Sequence, residues 1–188
     1  MTTADAVHWA DVSVAEIRGT EDENTGRRKY VMTLQERGSE RRVPMWIGPA
    51  EATALALAME SAETPRPLTY QLAASLVAAA GARVTEVRIT LQAPVFHAAV
   101  LVQSPAGLLE VDSRPSDAVN LALAAGAPIR LDSDLFSLDH HLEEVSSCPV
   151  VTADLAAEAQ QRMAWLKAVQ GCSGLASWSA NTTRPVQG

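Results

Sequence analysis

The feature that most limits what this chain can fold into is a repeat within it. The segment Val14-Ala15-Glu16-Ile17-Arg18-Gly19-Thr20 returns at an offset of 70 as Val84-Thr85-Glu86-Val87-Arg88-Ile89-Thr90, with Val, Glu, Arg and Thr kept. A second block, Pro49 to Ala58, returns as Pro115 to Ala124 at an offset of 66, with six of ten positions identical and Glu51 matched by Asp117. Self-similarity at such a spacing marks a supersecondary unit used twice. The offset falls because the first copy has the longer polar loop, Glu21 to Arg28, and a surface hairpin is the cheapest place for copies to differ.

Within each copy, apolar and polar residues alternate and then give way to a Pro-led, alanine-rich run. This predicts strands near 12–20, 29–36 and 42–47 with a helix over 49–62, then strands near 84–92, 95–103 and 108–113 with a helix over 115–125. Thr69 is expected to cap a linking helix that carries Leu72, Leu76 and Val77 on one face and stops at Gly81, and a short strand follows at Pro128 to Leu131. The expected fold is α+β: a duplicated strand-strand-strand-helix unit, a largely antiparallel or mixed sheet with helices packed on it, and a C-terminal helix. The duplicated domain takes 1–145. A helical appendage, capped by Thr152 or Asp154 and running through Glu158, Arg162, Met163, Trp165, Leu166 and Val169, takes 146–171, and a Ser/Thr/Gly/Asn-rich tail over 172–188 is expected to be disordered.

Composition narrows the function classes. With 188 residues, 47% hydrophobic and 20% charged, the chain is long enough for one sizeable core. No apolar run approaches the ~20 residues of a membrane span, and Met1 to Asp11 lacks a basic start followed by an apolar stretch, so neither a span nor a secretory signal is expected. Cys148 and Cys172 make neither a disulfide framework nor a zinc site, and a cytoplasmic location is the expectation. A net charge of −7 argues against a large nucleic-acid footprint. Yet 13 of the 15 basic residues are arginine, clustered as Arg27-Arg28-Lys29 and as Arg37 with Arg41-Arg42. These clusters read either as solvated strand ends beside acidic neighbours or as a local patch for phosphates.

No Gly-rich phosphate loop, paired zinc-ligand histidines or serine elbow is present. His140-His141 with Glu143 and Glu144 is the nearest thing to a metal cluster, but neighbouring helical residues point about 100° apart and do not converge on one ion. The repeated element is the stronger candidate. In each copy a strand leads through Pro into a helix with an acid two residues later, Glu51 or Asp117. Capping alone accounts for both, since a first-turn carboxylate complements the helix dipole. The second copy carries a fuller set, Asp112-Ser113-Arg114-Pro115-Ser116-Asp117. Its carboxylates could hold Mg²⁺ or Mn²⁺ through oxygen while Arg114 and the helix N-terminus stabilise a phosphoryl oxyanion, or Arg114 could brace the turn and nothing more.

Four segments, Pro44-Met45-Trp46-Ile47-Gly48-Pro49-Ala50-Glu51-Ala52, Arg66-Pro67-Leu68-Thr69, Asp112-Ser113-Arg114-Pro115-Ser116-Asp117-Ala118 and Ala127-Pro128-Ile129, together resemble the bifunctional nuclease domain family over about residues 10–140. The resemblance implies a duplicated β-rich α+β fold, assembly as a homo-oligomer and, as in plant members, cleavage of both DNA and RNA. On that basis the expected activity is metal-assisted phosphodiester hydrolysis. Glu51, Asp112 and Asp117 are the candidate catalytic and metal-binding carboxylates for Mg²⁺ or Mn²⁺, Arg114 a catalytic cation, and Arg66, Arg114 and Ser116 the substrate contacts. The alternative is a non-catalytic oligomeric module that binds a small anion or a protein partner through the same turns. The chain departs from the family pattern at Tyr70-Gln71, where many relatives carry His-Asp, and at Phe96-His97-Ala98, where relatives often carry Phe-Tyr-Ala.

Overall fold

Alternating side chains make Trp9–Glu21 a strand, β1, which starts three residues before its expected position. The extension is tertiary in origin: Trp9 to Val12 pair antiparallel with Ile129–Asp132, the strand β7. The computed structural model describes residues 7–22, 24–92, 94–137 and 145–171, with side chains as far as Ala164. The His140-His141 and Glu143-Glu144 group and the tail 172–188 lie outside the described residues, as do the side chains of Trp165, Leu166 and Val169.

From β1 the chain turns into β2 (Arg28–Glu36) and β3 (Arg42–Ile47), both antiparallel to their neighbours, and then into α1 (Pro49–Met59). α2 (Thr69–Ala79) leads to β4 (Arg83–Gln92), β5 (Val95–Ser104), β6 (Gly107–Ser113) and α3 (Pro115–Ala125). After β7 come a 3-10 turn at Ser133–Ser137 and the long α4 (Thr152–Gly171). The seven strands form one sheet in the order β3-β2-β1-β7-β4-β5-β6, mixed because β4 runs parallel to β7 while the other pairs are antiparallel. Each half places its first strand beside β7 and its third at an outer edge. Each first strand also breaks register between corresponding residues, Val14/Glu16 in β1 and Val84/Glu86 in β4. Bulges of this kind increase local twist.

The helices share one face of the sheet. Ile17, Met32, Val87, Ile89, Ala98 and Val100 join Leu55, Ala56, Ala118, Val119 and Ala122 in one core. The alanines let α1 and α3 lie close on the strands. α1 ends at Met59, short of its expected end at 62, because the chain leaves the helical path at Ser61, whose φ is +49°. Thr69 is the first residue of α2, not its cap; Leu68 takes the cap position, and its N–H donates to Gln71 Oε1 at 2.8 Å. Leu72 and Leu76 turn outward, so the face expected to be apolar is exposed, and no residue of α2 is buried. The start of α4 belongs to the core: Leu155 and Ala156 are buried, and Thr152 Oγ1 accepts the Ile17 N–H at 2.9 Å. Gly19 admits this segment, since a side chain there would press on Val151.

Candidate functional site

The two Pro-led turns have nearly the same backbone. Gly48 before α1 has φ/ψ of −73°/159°, and Arg114 before α3 has −72°/146°. In both, Pro at the first helical position supplies a preset φ and lacks only an N–H that the helix would leave unbonded. β3 and β6 are opposite edges of the sheet, and six strand spacings in a flat sheet would span roughly 29 Å. The turns nevertheless meet: Arg114 Nη2 donates to Glu51 Oε1 at 2.7 Å. The sheet is therefore curled, and a single crevice takes lining from Met45 to Gly48 on one edge and from Pro94 to Phe96 and Arg114 to Ser116 near the other.

Arg114 joins the two halves. Its Nε donates to Asp117 Oδ2 at 2.6 Å while its Nη2 holds Glu51, and Tyr70 at the start of α2 donates its hydroxyl to Asp117 Oδ1 at 2.7 Å. Of the three charged groups Glu51 is the most sheltered, with its side chain 14% exposed, Asp117 follows at 29%, and Arg114 is open at 68%. A Cβ at Gly48 would overlap the Glu51 carboxylate as it lies here, so a side chain at 48 would make Glu51 turn aside. Behind the ions, buried Asn120 ties α3 to α1 by donating to Ser116 O at 2.9 Å and Glu51 O at 3.2 Å.

The proton affinities follow from these contacts. Burial pushes the Asp117 carboxyl up, but the bonds from Arg114 and Tyr70 outweigh it and hold the group below its ordinary value. Tyr70 is raised, by burial first and by its bond to Asp117 second, so it remains a neutral donor at physiological pH. Arg114 is raised by Asp117 and Glu51. Glu51, Asp117 and Arg114 together carry one net negative charge.

These groups line a cleft of about 1050 Å³ between α1, α2 and α4. A second, cationic group lines the same cleft: Arg27, Arg28 and Arg162, with Glu158 accepting from Arg28 at 3.2 Å and from Arg162 at 2.6 Å. Of the candidates from sequence, Glu51, Arg114 and Asp117 are thus brought together. Ser116 is buried in the first turn of α3 and faces the crevice on the far side of Arg114. Asp112 stays apart. It pairs with Ala99, whose neighbours Ala98 and Val100 face the helices, so the pleat turns Asp112 to the opposite face of the sheet. Arg66 lies in the loop before α2, outside the cleft lining. Tyr70 and Asn120 were not among the candidates. Tyr70 had a signal, since it stands where many relatives carry a polar pair, and Asn120 is the one amide in an alanine-rich helix.

Two carboxylates suit a hard divalent ion in kind, because Mg²⁺ is commonly held by one or two of them plus substrate phosphates. Three of their four oxygens, however, already accept bonds from Arg114 and Tyr70. Among the described residues no group of three or more His, Cys, Asp or Glu is arranged to hold a metal. Among them, too, no helix is long and apolar enough to cross a membrane.

The profile of the bifunctional nuclease domain matches residues 32–144, which takes in both helix starts, Tyr70 and the crevice lining from Pro44 to Ser116. Two relatives from Mycobacterium tuberculosis, Uncharacterized protein MT1877 of strain CDC 1551 / Oshkosh and Uncharacterized protein Rv1829 of strain ATCC 25618 / H37Rv, are each 39% identical over 123 residues, 65% of this chain and 71% of theirs. With more than half of its length matched, including Glu51, Arg114 and Asp117, the chain belongs to the bifunctional nuclease domain family.

Proposed function

We propose that the cleft binds DNA and RNA and hydrolyses their phosphodiester bonds. The observation that carries this reading is the meeting of Glu51, Arg114, Asp117 and Tyr70 in a cleft also lined by Arg27, Arg28 and Arg162. Those three arginines supply fork-shaped donors for the phosphates beside the scissile bond. Arg114 has both N–H groups of its Nη1 to offer a phosphoryl oxygen, since its Nε and Nη2 meet the two acids. A phosphate approaching a site with one net negative charge is repelled, so the reading includes Mg²⁺ or Mn²⁺ held by Glu51 and Asp117. Bound there, such an ion would offset that charge and activate water. Arg114 must then release at least one carboxylate, and its open side chain has room to turn. Two further parts of this reading are a common origin for the two halves, supported by their matching strand order, and a homo-oligomer, supported by the exposed Leu108, Leu109 and Val111 on edge strand β6.

The test is cleavage of labelled single- and double-stranded DNA and RNA with Mn²⁺, with Mg²⁺ and with EDTA. Metal-dependent products from the wild type, abolished by Asp117→Asn in a protein that loses no more than about 1 kcal/mol of stability, support the reading. The filled carboxylate oxygens favour one alternative, a non-catalytic module for anions. Binding of oligonucleotide or phosphate without cleavage under every metal condition would put that alternative first.

A further inference from the structure

Arg114 has a second neighbour besides the cleft. On its other side lies the crevice of about 550 Å³ lined by Trp46, Phe96, Pro94, Val95 and Ser116, among others, a volume within the ~300–1,000 Å³ of small-ligand sites. Trp46 is 55% exposed although it stands at the end of a strand whose preceding residues Val43 to Met45 are buried. Among the described residues, Arg114 is the only charged one that lines the crevice. An aromatic wall, a hydroxyl and one guanidinium at the mouth are complementary to a flat base joined to a phosphate. We propose that this crevice holds one unpaired nucleobase, stacked on Trp46, of the same strand whose phosphate reaches Arg114.

The proposal rests on the reading of the cleft as a nucleic-acid site and adds a substrate class to it. A base enters only after leaving its partner strand, so the crevice selects single-stranded nucleic acid or flexible ends and loops over continuous duplex. Stacking is tolerant of base identity, because every base has a π-face, and it is also tolerant of the sugar. A single site of this kind therefore suits both polymers.

Fluorescence anisotropy with a short labelled oligothymidylate, in EDTA and again with Ca²⁺ in place of the proposed Mg²⁺ or Mn²⁺, tests this without measuring turnover. Trp46→Ala is expected to weaken binding by about 5- to 100-fold, the loss of one stacked base, and Trp46→Phe to restore most of it. Binding of a long blunt G·C-rich duplex, and of a strand abasic throughout, should be the same in wild type and variant. Three results would overturn the proposal: no binding of the single strand by wild type, equal binding by wild type and Trp46→Ala, or equal losses on duplex and single strand. A loss that accompanies a fall in sedimenting mass would also overturn it, assigning Trp46 to contact between copies of the chain. Because cleavage is not measured, a Trp46-dependent strand preference in a protein that never cleaves would leave this proposal standing while hydrolysis failed.

Discussion

The turns before α1 and α3 share a backbone and differ in what they present. One has Gly48, Ala50 and Glu51; the other has Arg114, Ser116 and Asp117 at the matching positions. Glycine on one side leaves room for a carboxylate to fold back over the chain, and arginine on the other reaches across to hold it. Two like turns would place carboxylate against carboxylate. A single exchange at the cap position makes them complementary, and the site exists only where the two halves meet. The halves also differ in cover. Edge strand β3 is buried from Val43 to Met45, whereas its counterpart β6 is exposed over most of its length.

Making the second turn a copy of the first should have the largest effect. Arg114→Gly leaves Glu51 and Asp117 facing each other without a bridge, and the phosphodiester cleavage proposed above should fall by about 100-fold or more in single-turnover assays. Making the first turn less like itself comes next. Gly48→Ala moves the Glu51 carboxylate away from the chain and from Arg114, costing about 1 kcal/mol in urea unfolding. Asn120→Ala removes the amide that joins α3 to α1 and should cost about 1 kcal/mol by the same measurement.

Tyr70→Phe is the smallest change, about 0.5–1 kcal/mol at neutral pH for the lost hydroxyl bond in a partly open site. Its signature is in the pH dependence. The Asp117 carboxyl is depressed in the folded protein, so its bonds add stability above the ordinary Asp range and lose that contribution as pH falls through the depressed value. Without the Tyr70 hydroxyl the Asp117 value should rise toward normal in a carboxyl NMR titration, and the acid side of the stability curve should become shallower. Tyr70 itself is raised, so the wild type should also lose stability as pH climbs above the ordinary tyrosine value of 10.0, a loss that the Phe variant lacks at this position.

Local signals in the sequence carried the elements well. Alternation marks β4, short apolar runs mark β2 and β5, Pro49 and Pro115 mark helix starts, and Gly126, in the left-handed conformation, ends α3. What depends on distant contacts was not legible. The start of β1 follows from pairing with β7, and the exposure of Leu72 and Leu76 follows from α2 resting on α3 and β4 through its smaller residues. The same division runs through the site. Glu51 and Asp117 stand out because they occupy equivalent places, but their meeting depends on the curl of a seven-stranded sheet. Asp112 is two residues from Arg114 in sequence, yet the pleat sends it to the other face. Tyr70 read as a departure from a pattern, and only the packing of α2 beside α3 reveals that its hydroxyl reaches Asp117.

The central claim is that Glu51 and Asp117, one from each half, act as a single site. A double-mutant cycle on the cleavage rate tests it most directly, using Glu51→Gln, Asp117→Asn and the pair, each checked for native fold by circular dichroism. Groups that act as a unit are strongly non-additive, so the double variant should be about as slow as the slower single variant. Losses that multiply would contradict the claim and make the two acids independent helix caps.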